Sequence, residues 1–294
     1  MDKEKLNIAK TRKGFIAALD QSGGSTAKTL ERYGISSDSY TSEEEMFDLI
    51  HEMRKRVFTS PSFTSDKILG AILFYKTMES KVDGEYTSEY LWNKKNIISF
   101  LKVDKGLEEE KDGVKLMKDI PDLDEQLDEA NKLGVFGTKM RSVILSANRE
   151  GIKKIVKQQF DIAKRICDKG LVPIIEPEVD INISDKAEAE NILKEEIKNV
   201  LDSWNENDLI MIKFTIPTKA NLYLDLYDYK CLVRIVALSG GYTLDDAVKL
   251  LKQNDRMIAS FSRALLQNLN HNQSEEEFNK ELKEAIDVIY EASI

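Results

Sequence analysis

The sequence predicts a (β/α)8 barrel of the α/β class, one domain over residues 1–294 with a short N-terminal helix. Three observations carry this. Eight short runs rich in apolar and β-branched residues recur along the chain. Segments with helical periodicity lie between them. No linker, low-complexity tract or internal repeat breaks the alternation, and the length suits one barrel. A doubly wound parallel sheet shares the alternation and is the alternative that this pattern leaves open.

The elements follow in order. The opening "MDKEKLNIAKTRKG" lacks the apolar core of a secretory leader and is expected to form a short surface helix. "GFIAALD" (14–20) is the first strand and "ILGAILF" (68–74) the second. The long crossover between them holds a helix, "SEEEMFDLIHEMRKRVF" (42–58). "ISFLKVD" (98–104) is the third strand, followed by a helix at "DLDEQLDEANKLG" (122–134) with Asp122 as its expected cap. "VFGTKMRSV" (135–143) is the fourth. The helix at 151–170 sets Ile152, Ile155, Val156, Phe160, Ala163, Ile166 and Cys167 on one face and closes at Gly170. "LVPIIEPEV" (171–179), "LIMIKFTI" (209–216) and "VRIVALSG" (233–240) are the fifth to seventh strands. Thr243 caps a helix over 243–254, and "MIASFSRA" (257–264) is the eighth strand. The helix at 274–292 opens on a capping box.

Composition excludes several function classes. The net charge of −9 argues against a nucleic-acid partner. No apolar run is long enough to span a membrane. The two cysteines, Cys167 and Cys231, read as reduced thiols of a cytoplasmic protein rather than a disulfide framework. The two histidines, His51 and His271, are too few for a histidine-built zinc site, whereas a magnesium site built from carboxylates is not excluded.

The charges on the strands are more informative. Side chains alternate faces along a strand, and barrel active sites sit at the C-terminal strand ends. The first strand ends at Asp20. The third carries Lys102 and Asp104, the fourth Lys139 and Arg141, the fifth Glu176 and Glu178, each pair two residues apart. The sixth carries Lys213 and the seventh ends in Ser239. The other parity is apolar: Leu101 with Val103, Ile175 with Pro177, Ile212 with Phe214. The charged parity is therefore expected to face inward and converge at the mouth. One such charge reads equally well as a rim group; several on one parity do not.

Lys213 stands in the apolar run "LIMIKFTIP". Burying an ammonium is costly, and apolar surroundings or a nearby cation such as Lys139 make a lysine nucleophilic by lowering its pKa. That prepares attack on a carbonyl and a Schiff base. Glu176 and Glu178 are placed to move the protons that carbinolamine formation and dehydration require, and Asp20 to accept a hydroxyl proton in C–C cleavage. "LSGGY" (238–242) and "SFSRAL" (260–265) follow the strands whose loops often hold phosphate in barrels, with Gly240 and Gly241 offering backbone N–H groups and Arg263 a guanidinium. "DQSGGST" (20–26) is a second turn of that kind.

With these motifs in view, the chain resembles the class I fructose-bisphosphate aldolases, and among them the short bacterial branch. "FIAALDQSGGS", "FLKVDKG", "FGTKMRS", "LVPIIEPEV", "IKFTIP", "VALSGG" and "SFSRAL" stand in the family's order, from about residue 13 to the end. The resemblance implies a (β/α)8 TIM barrel in which Lys213 forms the Schiff base. Glu176 would be the main proton donor and acceptor with Glu178 its partner, Lys139 would assist electrostatically, and Asp20 would take the C4 hydroxyl proton. Lys102 would contact substrate hydroxyls. Ser239, Gly240, Ser262 through its backbone N–H, and Arg263 would bind the 1-phosphate, with Arg141 and Ser25 toward the 6-phosphate. The activity implied is the reversible cleavage of fructose 1,6-bisphosphate, with tagatose 1,6-bisphosphate as a second substrate. It is cytoplasmic, serves glycolysis and gluconeogenesis, and needs no cofactor, nucleic acid or membrane.

The chain also departs from the animal members. Gln21 and Thr29 stand where those have glutamate and arginine, and Tyr290 lies in an amphipathic helix, where packing is its expected role. A transaldolase-like barrel would use Lys139 as the nucleophile instead. A pyridoxal phosphate enzyme would show a cofactor absorbance band. A non-catalytic barrel would bind sugar phosphate without turnover.

Overall fold

The computed structural model describes residues 2–294. Eight parallel strands pair in sequence order: β1 (Phe15–Leu19), β2 (Ile68–Leu73), β3 (Ile98–Lys102), β4 (Gly137–Ile144), β5 (Val172–Val179), β6 (Ile210–Thr215), β7 (Leu232–Leu238) and β8 (Met257–Ala259). The Ala18 N–H reaches the Phe261 carbonyl at 3.4 Å, so the last strand returns to the first and the sheet nearly closes. A nearly closed (β/α)8 barrel replaces the doubly wound alternative.

Each strand is buried on both faces, which is why it reads as an apolar run with interruptions on one parity. Ile16, Ala18, Ile72, Phe100, Ile174, Met211, Val236 and Ile258 fill the interior. Leu19, Leu101, Met140, Ile175, Ile212, Phe214 and Ala237 face the helices. Gly137 must be glycine: a Cβ there would lie 2.1 Å from the Val172 carbonyl oxygen and 2.9 Å from the Phe100 ring.

The helices are α1 (Lys3–Thr11), α2 (Gly24–Arg32), α3 (Glu43–Thr59), α4 (Tyr75–Glu79), α5 (Thr87–Lys95), α6 (Leu123–Lys132), α7 (Arg149–Asp168), α8 (Lys186–Leu201), α9 (Leu244–Leu251), α10 (Arg263–Leu266) and α11 (Glu275–Glu291). The expected apolar face of α7 is buried apart from the half-buried Cys167, and Gly170 ends it at φ +78°. The capping box of α11 is formed by Ser274 and Glu277. Among the described residues no helix is long and apolar enough to cross a membrane.

Three expectations need correction. The N-terminal helix is no mere surface helix: Ile8 and Ala9 of α1 join the interior cluster and seal the floor of the barrel. Lys5 Nζ donates to the Gly134 carbonyl at 2.6 Å, and Arg234 Nε to that of Ala9 at 2.9 Å, fixing this seal to one loop and one strand. The eighth strand stops at Ala259, and Arg263 already begins α10. Asp122 makes no side-chain cap; its carboxylate accepts from Lys105 Nζ at 2.7 Å instead.

Candidate active site

Parity places the charges. On β5 the inward residues run Val172, Ile174, Glu176, Glu178, apolar at the floor and acidic at the mouth. Lys139 lies beside Lys102 in register, Arg141 beside Glu176, and Lys213 beside Val236. Lys102, Glu176 and Lys213 each sit one step above an apolar interior residue, Phe100, Ile174 and Met211, so the aliphatic stem packs in the interior and the head reaches the open end.

Glu176 is the hub. Its Oε2 lies 3.2 Å from Lys139 Nζ and its Oε1 3.2 Å from Lys213 Nζ. Lys139 also meets Asp20 Oδ2 at 2.6 Å. All four side chains are buried, Lys139, Glu176 and Lys213 to 5% exposure each. The expected apolar setting of Lys213 thus includes a carboxylate in direct contact. Higher on the wall, Arg141 Nε contacts Glu178 Oε2 at 2.5 Å, and Lys102 Nζ contacts Asp104 Oδ1 at 2.8 Å.

The frame behind these groups is hydrogen-bonded. The fully buried Gln159 of α7 accepts from the Glu176 backbone N–H at 2.9 Å and donates to Ser142 Oγ at 3.0 Å. Thr215 Oγ1 donates to the Val179 carbonyl at 2.7 Å and accepts from its N–H at 3.0 Å, clamping β5 to β6 beside Lys213. Phe214 faces outward and stacks on the buried Tyr223, ring centroids 3.7 Å apart.

Burial opposes ionisation of Asp20, but Lys139 and then Lys213 outweigh it and hold the carboxyl at about 2. Burial likewise opposes the charge on Lys139, yet Asp20 and Glu176 push it well above the ordinary lysine value. Burial opposes Arg141 too, and Glu178 more than offsets it. The folded value of Asp20 lies below the unfolded one. Its stabilisation is therefore complete above about pH 4 and disappears as the pH falls toward about 2. The stability gap between wild type and Asp20→Asn is expected to be on the order of 2 kcal/mol near neutrality and to close across that window. Denaturant titrations at several pH values check this; a gap independent of pH would count against the pairing.

These groups line one cavity of about 500 Å³. Every residue that the sequence singled out for catalysis or binding is on its wall: Asp20, Ser25, Lys102, Lys139, Arg141, Glu176, Glu178, Lys213, Ser239, Gly240, Ser262 and Arg263. Asp104 is not; it serves Lys102. Gly240 and Gly241 adopt φ +60° and +111°, the left-handed backbone that glycine tolerates. Tyr290 is away from the cavity, half-buried against the core, with Lys67 Nζ 5.9 Å from its ring centre.

The two departures noted in the sequence, Gln21 and Thr29, are on the wall, which also holds residues that the sequence did not single out: Lys28, Arg32 and Ser260. Ser260 Oγ is buried without a hydrogen-bond partner. Lys28 and Arg32 stand four apart on α2, a like-charged spacing that costs a few tenths of a kcal/mol in an isolated helix. Among the described residues neither they nor Arg263 has a carboxylate partner. In an acidic chain, two unpaired cations four residues apart beside a Gly-Gly-Ser turn were the available signal.

A buried lysine amine, a carboxylate in contact with it, and cations at the rim suit the making and breaking of carbon–carbon bonds next to a carbonyl. The barrel and its mouth fit an aldolase, a carbon–carbon lyase. A family model described as class-I fructose-bisphosphate aldolase matches residues 2–218. The chain belongs to that family. Its fold is similar to that of Plasmodium falciparum fructose-bisphosphate aldolase, solved in complex with TRAP and a small-molecule inhibitor, with a TM-score of 0.77 and 19% identity over 99% of this chain and 93% of that one. It is also similar, at a TM-score of 0.56 and 12% identity over 98% and 91% of the two chains, to Cgl0159 of Corynebacterium glutamicum. Both likenesses concern the fold.

Proposed function

We propose that this aldolase reversibly cleaves fructose 1,6-bisphosphate to dihydroxyacetone phosphate and glyceraldehyde 3-phosphate through a Schiff base on Lys213. The observation that carries the reading is the buried Glu176 carboxylate held 3.2 Å from Lys213 Nζ. Glu176 takes a proton from Lys213, whose nitrogen then adds to the C2 carbonyl. The carbinolamine hydroxyl leaves as water with a proton returned by Glu176, giving the iminium. Asp20, held ionised by Lys139, takes the C4 hydroxyl proton. The C3–C4 bond breaks, its electrons pass into the iminium as an enamine, and the aldehyde leaves. Protonation at C3 and hydrolysis release the ketone and restore Lys213.

Lys139 is the weaker candidate nucleophile because two carboxylates hold it protonated. Its charge assists the developing anions instead. Glu178, bound by Arg141, supports Glu176. Lys102 meets substrate hydroxyls. Ser239, Gly240, Ser262 and Arg263 take the 1-phosphate. Ser25 and Arg141 take the 6-phosphate, joined here by Lys28 and Arg32, which have no carboxylate partner among the described residues where Arg141 has Glu178. Tagatose 1,6-bisphosphate, the C4 epimer, is the second substrate. The setting is cytoplasmic glycolysis and gluconeogenesis.

Borohydride trapping with dihydroxyacetone phosphate in EDTA, followed by peptide mapping, tests the reading. An adduct on Lys213 is expected; an adduct on Lys139 would move the chemistry, and no adduct on folded protein would end it. The distal cations have their own test. Lys28→Gln with Arg32→Gln is expected to raise KM for the bisphosphate by roughly tenfold or more and to spare fructose 1-phosphate. Equal losses on both substrates would count against a distal phosphate site.

A further inference from the structure

Arg54 of α3 is the largest fully buried side chain among the described residues, at 0% exposure. Buried charges are ordinarily paired. Arg54 has no carboxylate within ion-pairing distance among the described residues; its partners are neutral. Nη1 donates to Thr77 Oγ1 at 2.6 Å, and Nη2 donates to the Gln21 carbonyl at 2.7 Å and to Gln21 Oε1 at 3.1 Å. Burial pulls the guanidinium down to about 10 despite Asp20, so it stays charged at neutral pH.

Gln21 faces both ways. It lines the cavity, as does Met53, the sequence neighbour of Arg54. Its Nε2 donates to Ser262 Oγ at 2.5 Å and to the Ala18 carbonyl at 3.3 Å. The orientation of the amide is fixed chemically: only its oxygen can accept from a guanidinium, so its nitrogen must turn to Ser262. Ser262 in turn precedes Arg263. A carboxylate at position 21 would have the same reach and would neutralise Arg54, and it could meet Ser262 only by accepting from its hydroxyl.

We propose that Gln21 is a positioning and specificity-determining residue: it leaves the Arg54 charge unneutralised behind the cavity wall for a phosphorylated substrate, and it ties Ser262 and Arg263 in place. This rests on the aldolase reading for its kinetic test but not for its binding test. The selected class is a sugar or triose carrying a phosphate dianion, against the same ketone without it.

The experiment compares wild type, Gln21→Glu and Gln21→Met. Borohydride capture rates are measured with dihydroxyacetone phosphate and with dihydroxyacetone, and inorganic phosphate affinity by calorimetry. Gln21→Glu is expected to lower capture of the phosphorylated ketone and phosphate affinity by roughly tenfold or more, with dihydroxyacetone capture changing far less. Gln21→Met keeps the Arg54 charge and the backbone carbonyl that accepts from it, and loses the side-chain contacts to Arg54 and Ser262, so it should fall between. A purely structural role would lower both captures equally, and that result, or unchanged discrimination in Gln21→Glu, overturns the proposal. Should wild type capture neither ketone, the aldolase reading fails while phosphate calorimetry still decides this one. Should Gln21→Glu not fold, Gln21→Met with undiminished selectivity and phosphate affinity overturns it.

Discussion

Lys213→Met is expected to abolish turnover and borohydride capture while leaving the barrel folded. Methionine fills nearly the same space above Met211 and beside Val236 on the interior parity, and it has no amine. Glu176 loses one ammonium but keeps Lys139 at 3.2 Å, so no isolated buried charge remains. Stability should therefore change by no more than about 2 kcal/mol. Loss of a covalent nucleophile typically costs on the order of 10⁵–10⁶ in kcat. The measurements are steady-state cleavage, intact mass after borohydride, and denaturant unfolding. A folded variant that keeps a thousandth or more of the wild-type rate would place the nucleophile elsewhere.

Glu176→Gln should damage both stability and rate, which separates it from Lys213→Met. The substitution preserves shape but removes the single negative charge shared by two buried ammonium groups. Lys139 retains Asp20; Lys213 is left with no carboxylate within 4 Å among the described residues. Breaking a buried pair in this way costs about 3–5 kcal/mol. Loss of the proton carrier should slow carbinolamine formation and dehydration by roughly 10²–10⁴. Single-turnover capture with dihydroxyacetone phosphate reports that step directly. A variant with a lowered denaturant midpoint but an unimpaired capture rate would reduce Glu176 to a structural counter-ion.

The row Lys139–Glu176–Lys213 was legible in the sequence because strand parity is strict. Charges two apart on neighbouring strands must share a face, and a closed barrel turns that face inward. The last strand was harder: Phe261 and Ser262 continue an alternating pattern beyond Ala259, although the backbone has already turned toward α10. The role of α1 was hidden because it buries only Lys5, Ile8 and Ala9, too few positions for periodicity to register. Gln159 stands on the apolar face of α7, and nothing local says that its amide reaches a strand backbone. Arg54 lies between Met53 and Val57 on the buried side of α3, but a lone arginine on a helix reads as solvated. Lys28 and Arg32 were passed over for the same reason. Long-range geometry, which local patterns carry only weakly, places each of these residues.

The bond between Ala18 and Phe261 that closes the barrel joins residues roughly 240 positions apart. A ribosome adding about 5–20 residues per second delivers the second of them some 12–50 s after the first. Once Ile68–Leu73 has been made, and until the end of that interval, β1, whose five side chains all end up buried, has β2 for a partner and one open edge. An unpaired apolar strand edge is the feature that recruits other nascent chains. The yield of folded barrel is therefore expected to respond to growth temperature and chaperone supply during synthesis.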